Sequence, residues 1–311
     1  MINTSNAPAP AGVGELAPAE YAFLSDLLAR ESGLALGPDK GYLIRTRLAP
    51  AAAAWGGGTL RGLVAALRTE QVRGRPGARS ATRAVCDAMT TNETLFFRDG
   101  HPFEAFRDVI LPAAASRRIT AGGPLRPIRV WSAASSTGQE PYSLAICAVQ
   151  AAPRLCGVPV EIVASDYSPS ALQRARDGVY TDFETRRGLD PAIAARFLTP
   201  VPGGLRVADA LRRMIRFEER NLLEPFTGLG VFDVIFCRNV LLYFDAATKR
   251  GILDRMAEAL APGGVLILGG AETPLGVSGK LVRAGGLPTP GYEVGEKGKG
   301  EREASRLIRP A

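Results

Sequence analysis

The sequence predicts an α/β protein: a doubly wound, mainly parallel sheet, preceded by a small all-α domain and carrying a small β insertion. Three observations carry this expectation. Residues 17–88 show helical periodicity with no strand signal. From residue 102, strand and helix patterns alternate, which requires parallel strands joined by crossover helices. Between 181 and 217 the alternation breaks at "FLTPVPGGLRV", a turn-bearing stretch that suggests a minor insertion.

The elements follow in order. "PAEYAFLSDLLARESG" sets Tyr21, Leu24, Leu27 and Leu28 on one stripe, with Gly33 placed to end the helix. "PDKGYLIRTRLAPAAAAWGGG" is a second helix, with Pro38 near its start and a glycine run at its end. "TLRGLVAALRTE" and "ARSATRAVCDAMT" are two more short amphipathic segments. Residues 1–16 read as a disordered Ala/Pro arm and 89–101 as a linker. In the α/β part, "PFEAFRDVILPAAASRR", "GQEPYSLAICAVQAA", "SPSALQRARDGVY" and "AATKRGILDRMAEAL" are helices. Ser168 and Pro169 form an N-cap and first turn. "PIRVWSA", "VEIVASD", "FDVIFCRNV" and "GGVLILGGAE" are strands. The boundaries expected are 102–290 for this domain and 291–311 for a flexible tail.

Composition narrows the function. The chain has 311 residues, 46% hydrophobic and 22% charged, as in ordinary soluble globular proteins. No apolar run nears the roughly 18 residues of a membrane span, and the N-terminus lacks the basic start and apolar block of a secretory signal. A cytoplasmic protein without membrane insertion is expected. Cys86, Cys147, Cys156 and Cys237 are scattered, and His101 is the single histidine. That argues against a protein-built metal site and against histidine-based catalysis. The net charge is +7, and arginines 61, 68, 73, 75, 79 and 83 share their stretch with one acid, Glu70. Arg45 and Arg47 lie just upstream. Such a patch meets nucleic acid or an acidic protein surface, or is a solvated helical face.

In an open α/β sheet the ligand sits beyond the carboxyl ends of the strands. After the first strand comes "SAASSTGQEPYS", which has one glycine where a dinucleotide fingerprint has three, so NAD and FAD are disfavoured. After the second comes Asp166, an acid able to accept from ribose hydroxyls or to serve as a plain N-cap. "NLLEP" and "CRNVLLYF" follow later strands. Asn221 and Asn239 are turn residues or ligand contacts, and Tyr243 is core or site.

"TTNETLFFRD", "STGQEPYSLA", "ASDYSPSALQRA", "RNLL", "FDVIFCRNVLLYFD" and "LAPGGVLILGGAE" occur in that order. Together they resemble the CheR family of chemotaxis receptor methyltransferases, over about residues 17–285. The resemblance implies a Rossmann-like class I fold. It implies methyl transfer from S-adenosyl-L-methionine to receptor glutamates, giving a methyl ester and S-adenosyl-L-homocysteine. By matching motif positions it implies cofactor contacts from Asn92, Thr94, Arg98, Glu140, Asp166, Asn221, Leu222, Arg238 and Asn239. Arg98 and Tyr243 become orienting groups near the transferred methyl. The helical domain becomes the surface that docks on the cytoplasmic helices of chemoreceptors, through Arg45, Arg47, Arg61, Arg68, Arg73, Arg75, Arg79 and Arg83.

Two positions depart from the family pattern. Gln139 stands where many relatives have an acid, and Ser135 where cysteine is frequent; neither removes needed chemistry. The turn "TPVPGG" looks short for members that bind a receptor's C-terminal tether, so no tether is expected. A monomer recruited to receptor clusters at the inner membrane face is the accompanying expectation. The alternatives are a same-fold methyltransferase acting on another signalling protein, and a non-catalytic cofactor-binding regulator. A nucleic-acid methyltransferase fits poorly, because "CRNV" replaces the D/N-P-P-Y/F type stretch. In "MTTNETLFFRD" Phe96 and Phe97 are expected to anchor the segment, aiming Asn92, Thr94 and Arg98 at the cofactor. Leu95 and Asp99 have no assigned role.

Overall fold

The computed structural model describes residues 14, 16–37, 40–74, 80–122 and 124–295. The chain divides between Thr91 and Asn92 into two compact units.

Among its described residues the first unit holds four α-helices: α1 (Pro18–Ser32), α2 (Gly41–Trp55), α3 (Leu60–Arg73) and α4 (Ala81–Met89). Leu24, Leu27 and Leu28 of α1 are buried, as are Ile44 and Leu48 of α2 and Leu60, Leu63, Val64 and Leu67 of α3. The three-and-four spacing puts each set on one stripe facing the core. Thr59 caps α3 by accepting from the Gly62 amide, and Ser80 caps α4 by accepting from Arg83. Gly33 ends α1 at φ 73°, a left-handed position that favours glycine. Four helices are therefore present as read from the periodicity, although Pro38 lies outside the described residues.

The second unit is built on a seven-stranded sheet. Its strands are β1 (Ile128–Ala133), β2 (Val160–Asp166), β6 (Ile215–Glu219), β7 (Phe232–Cys237), β8 (Leu260–Leu268), β9 (Leu281–Arg283) and β10 (Gly291–Val294). The spatial order is β6-β2-β1-β7-β8-β10-β9. Five strands are parallel, and β10 runs antiparallel to both β8 and β9. Helices α5 (His101–Ala105) and α6 (Leu111–Thr120) precede β1, and α7 (Gln139–Ala151), α8 (Pro169–Asp177) and α12 (Ala246–Glu258) lie in the crossovers between parallel strands. Alternation along the strands sorts the core. Val130, Val234 and Phe236 pack on one face with Phe96, Phe103 and Tyr142. Trp131, Ile235 and Cys237 pack on the other with Ile252 and Met256.

Three boundaries differ from expectation. The segment 101–120 is not one regular helix: between α5 and α6, Phe106–Ile110 is a π-turn, and the Leu111 amide donates to Phe106 O. Pro112 follows and has no amide to donate, so the ladder changes register there. The β insertion is a three-stranded sheet, β3 (Val179–Tyr180), β5 (Gly204–Val207) and β4 (Leu198–Val201), with α9 (Asp182–Arg186) and α10 (Pro191–Phe197) inside it and α11 (Asp209–Arg212) leading on to β6. Residues 215–217 belong to the main sheet instead, because β6 pairs with β2. The flexible-tail expectation fails for 291–294: this is β10, with Tyr292 buried between two strands. Its Gly and Glu content obscured a strand that only sheet partners define. The remainder of the proposed tail, 296–311, lies outside the described residues.

Candidate active site

The parallel strands β1, β2 and β7 are neighbours, so the residues leaving their carboxyl ends gather along one edge. That edge carries unusual backbone. Phe97, Asp99, Ala134, Ser136 and Asn239 all have positive φ, between 48° and 68°. Left-handed conformations of non-glycine residues cost energy, and their concentration here marks a functional site.

Arg238 is the hub. Its side chain is 1% exposed and leaves the end of β7. It donates to Asp99 Oδ2 at 2.6 Å, to Arg98 O at 2.8 Å and to Glu140 Oε2 at 3.3 Å. The guanidinium also lies 5.4 Å from the Phe103 ring centroid. One buried cation thus joins three elements: the 92–99 segment, the start of α7 and the end of β7. All three of these hydrogen bonds go to protein groups.

Glu140 stands in the first turn of α7, where the helix N-terminus favours an acid. Its Oε1 accepts from Ser132 Oγ at 2.8 Å. Burial pushes the Glu140 carboxyl above the ordinary carboxylate range, and the pull of Arg238 only partly offsets this. Burial likewise raises the Cys237 thiol beside Arg238, so this sulfur is no ready nucleophile.

Asp166 ends β2 with its carboxylate shared between two loops. Oδ2 accepts from the Ser136 amide at 2.7 Å and Oδ1 from the Ser168 amide at 2.8 Å. Ser168 in turn caps α8 through the Ala171 amide. The N-cap reading of this region is thus correct for Ser168, while Asp166 braces the β1 loop. A carboxylate offers about four acceptor positions, and these two amides fix its orientation at the end of β2.

Asn221 Oδ1 accepts from the Leu223 amide at 3.0 Å, a side-chain turn just past β6. Leu222 is buried beside Trp131 in the core of one sheet face. Asn239 and half-buried Tyr243 follow β7, with Tyr243 on the short 3₁₀ turn Leu241–Tyr243.

The 92–99 segment belongs to the second unit. Phe96 is fully buried, edge-on to Tyr180 at 5.0 Å, and Phe97 is edge-on to Phe103 at 5.4 Å. The Phe97 amide donates to Ser143 Oγ of α7 at 2.9 Å. Both aromatics therefore anchor the segment, as expected. Arg98 folds back to donate to Glu93 O at 3.3 Å. Asn92 and Thr94 are half-buried on the same segment. His101 is exposed, with its ring nitrogen 2.8 Å from Asp99 O, where it serves no nucleophile.

Sequence reasoning missed two residues. Asp99 had no role and is the tightest partner of Arg238. Glu272, beyond β8, accepts from the amides of Asn239, Leu241 and Gly269. An acid four residues past a strand gives no local signal of such contacts.

The arginines of the first unit do not act alike. Arg47 donates to Met89 O at 3.0 Å and Thr90 O at 3.1 Å, joining α2 to the end of α4. Arg61 is exposed and lies 3.8 Å from Glu20. Exposed Arg68 covers the Phe23 ring at 5.1 Å, and Arg73 is exposed at the end of α3. Arg45 and Arg83 are half-buried. Arg75 and Arg79 lie outside the described residues.

The edge fits a polar, sulfonium-bearing nucleoside ligand. Acidic side chains at β1 and β2 suit a cation and a ribose. Ser135 Oγ, Ser136 Oγ and Asn239 Oδ1 are buried without a partner among the described residues, capacity that rotation of these groups can offer to a ligand.

Comparison with known proteins gives the site its family. Residues 92–282 match the family described as CheR methyltransferase, SAM binding domain. A chemotaxis protein methyltransferase of Vibrio parahaemolyticus is 40% identical over 265 residues, 84% of this chain and 92% of the relative. Chemotaxis protein methyltransferase 1 of Pseudomonas aeruginosa is 41% identical over 258 residues, 82% of this chain and 90% of the relative. With its seven-stranded, mainly parallel sheet and this match over most of its length, the chain belongs to the CheR methyltransferase family and is an S-adenosylmethionine-dependent methyltransferase.

Proposed function

We propose that the chain methylates glutamate side-chain carboxylates on the cytoplasmic helices of chemoreceptors, giving methyl esters that tune signalling. The observation that carries this reading is the Arg238 hub, which locks Glu140 and the Arg98–Asp99 backbone at one strand edge.

Bound S-adenosylmethionine supplies an electrophilic methyl on a cationic sulfur. A glutamate side chain has an ordinary pKa near 4.3, so at about pH 7 it is already a nucleophile. No general base is required, which accords with a site whose histidine is exposed and bonded to backbone. The protein's task is alignment and exclusion of water, and alignment alone supplies about 7–11 kcal/mol in favourable intramolecular cases. Glu140 faces the cationic end, Asp166 the ribose, and Asn221 with Leu222 the base. Asn92, Thr94 and Asn239 line the methionine end. Arg98 and Tyr243 orient the incoming carboxylate, and a loose contact from Arg98 avoids blunting the nucleophile.

Arg61, Arg68 and Arg73 are the exposed charges best suited to meet a Glu-rich receptor helix. Arg47 is needed for the helical unit itself. The β4–β5 turn has only Pro202 and Gly203 between the paired residues Val201 and Gly204. So short a turn supports recognition without a receptor tether. The enzyme acts as a cytoplasmic monomer recruited to receptor clusters.

The direct test is incubation with methyl-labelled S-adenosylmethionine and receptor-bearing membranes. Base-labile label on a receptor-sized band is expected. Base-stable label, or label on nucleic acid, refutes the reading.

A further inference from the structure

We propose that Glu272 is a positioning residue of the active site, holding the turn that carries Asn239 and Tyr243. This inference rests on the methyl-transfer reading above for its functional consequence, and on geometry alone for its structural part.

Glu272 lies past the end of β8, where Gly269 O accepts from its own amide at 2.9 Å. Its Oε2 accepts from the Asn239 amide at 2.7 Å and from the Gly269 amide at 2.8 Å. Oε1 accepts from the Leu241 amide at 2.7 Å. One carboxylate therefore spans the gap between the ends of β7 and β8 and gathers three backbone donors. Asn239 is held at φ 58°, a conformation that an unsupported Asn would leave for others. Gly269 makes the approach possible: a Cβ there would stand 2.7 Å from Glu272 Oε2 and 2.9 Å from the Asn239 nitrogen. From Asn239 the chain enters the 3₁₀ turn, where Tyr243 N donates to Val240 O. The direction taken by Tyr243 is thus set at Asn239 and Leu241, the two turn residues whose amides Glu272 holds.

The side chain must be an acceptor on both oxygens. Glutamine keeps the shape but replaces one oxygen with a donor, which then faces an amide N–H. Glu272→Gln is therefore the informative variant, and the full-length protein is the right object.

Amide hydrogen exchange at Asn239 and Leu241 reads the structural part. In Glu272→Gln it should quicken at least tenfold, while β1 and β2 amides stay protected. The functional part is read in a double-mutant cycle with Tyr243→Phe. Glu272→Gln should lower the maximal methylation rate of receptor-bearing membranes about 10- to 100-fold. Affinity for S-adenosylhomocysteine, by calorimetry, should fall by clearly less than the rate does. The double variant should be no slower than the slower single variant, because both changes remove one function. Unchanged exchange at Asn239 and Leu241 overturns the proposal. So does a multiplicative rate loss in the double variant, or an equal loss of rate and cofactor affinity. Full turnover in Tyr243→Phe with quickened exchange in Glu272→Gln instead refutes the role given to Tyr243, and leaves Glu272 as the holder of the turn.

Discussion

Asp99 and Arg238 are 139 positions apart and meet at 2.6 Å, with the arginine side chain buried and the aspartate 42% exposed. This pair ties the polar segment before α5 to the end of β7. The two ends of the pair should respond differently to mutation. Arg238→Ala leaves Glu140 buried without its cation, a change that costs about 3–5 kcal/mol in buried pairs. Asp99→Asn leaves Arg238 its bonds to Glu140 and the Arg98 carbonyl. Its loss is that of a partly solvated pair, about 0–1 kcal/mol. Thermal or denaturant unfolding of the two variants checks the order. A larger loss for Asp99→Asn would show that the exposed partner carries the junction.

Glu140 gives a pH prediction with a definite sign. Its carboxyl is raised in the folded state, with burial as the main cause. A raised acid contributes stability that is fully present below its unfolded pKa, near 4.3, and lost as pH rises through the folded value. In Glu140→Gln this contribution is absent. The stability of the wild type relative to this variant should therefore increase as pH falls through the folded value toward about 4.3. Unfolding at two pH values measures it. The opposite slope would mean that Arg238 outweighs burial at this site.

Asn239 holds φ 58° at the end of β7. Asn239→Gly keeps that conformation available, whereas Asn239→Ala imposes a left-handed penalty of about 1–2 kcal/mol. Both remove the side-chain amide. The glycine variant should be the more stable of the two by thermal unfolding, and both should bind S-adenosylhomocysteine more weakly. Equal stability would show that the turn relaxes to a right-handed form.

The basic helix α3 should matter for substrate and not for cofactor. Reversing Arg61, Arg68 and Arg73 to Glu should reduce receptor methylation about tenfold or more and weaken its salt sensitivity. S-adenosylhomocysteine affinity should stay unchanged by calorimetry. Arg47→Ala should act instead through stability, because it bonds the carbonyls of Met89 and Thr90. A matching loss of cofactor affinity in the triple variant would count against docking.

The two-residue β4–β5 turn yields a simple binding test. A receptor C-terminal peptide should show no saturable binding to the full chain at micromolar concentration. Tight binding would reverse the reading of that turn.

Local pattern in the sequence was enough to read the helical unit, the main parallel strands and the edge where their carboxyl ends gather. Periodicity fixes α1 to α4, because apolar side chains three and four apart must share a buried face. Short β-branched and aromatic runs mark β1, β2 and β7, and the ligand edge of a parallel sheet follows from their direction. The ordered motifs named the family. Phe96 and Phe97 were legible as anchors because aromatics in a polar loop need a core. The long-range pairings were not legible in this way. Asp99 reads as a loop acid until Arg238 folds over it, and Glu272 reads as surface until three amides from β7 and β8 converge on it. β10 looks like a polar tail until it lies between β8 and β9. Each depends on partners distant in the chain. Hydrogen bonds and ion pairs of that kind leave no local period, so only folding reveals them.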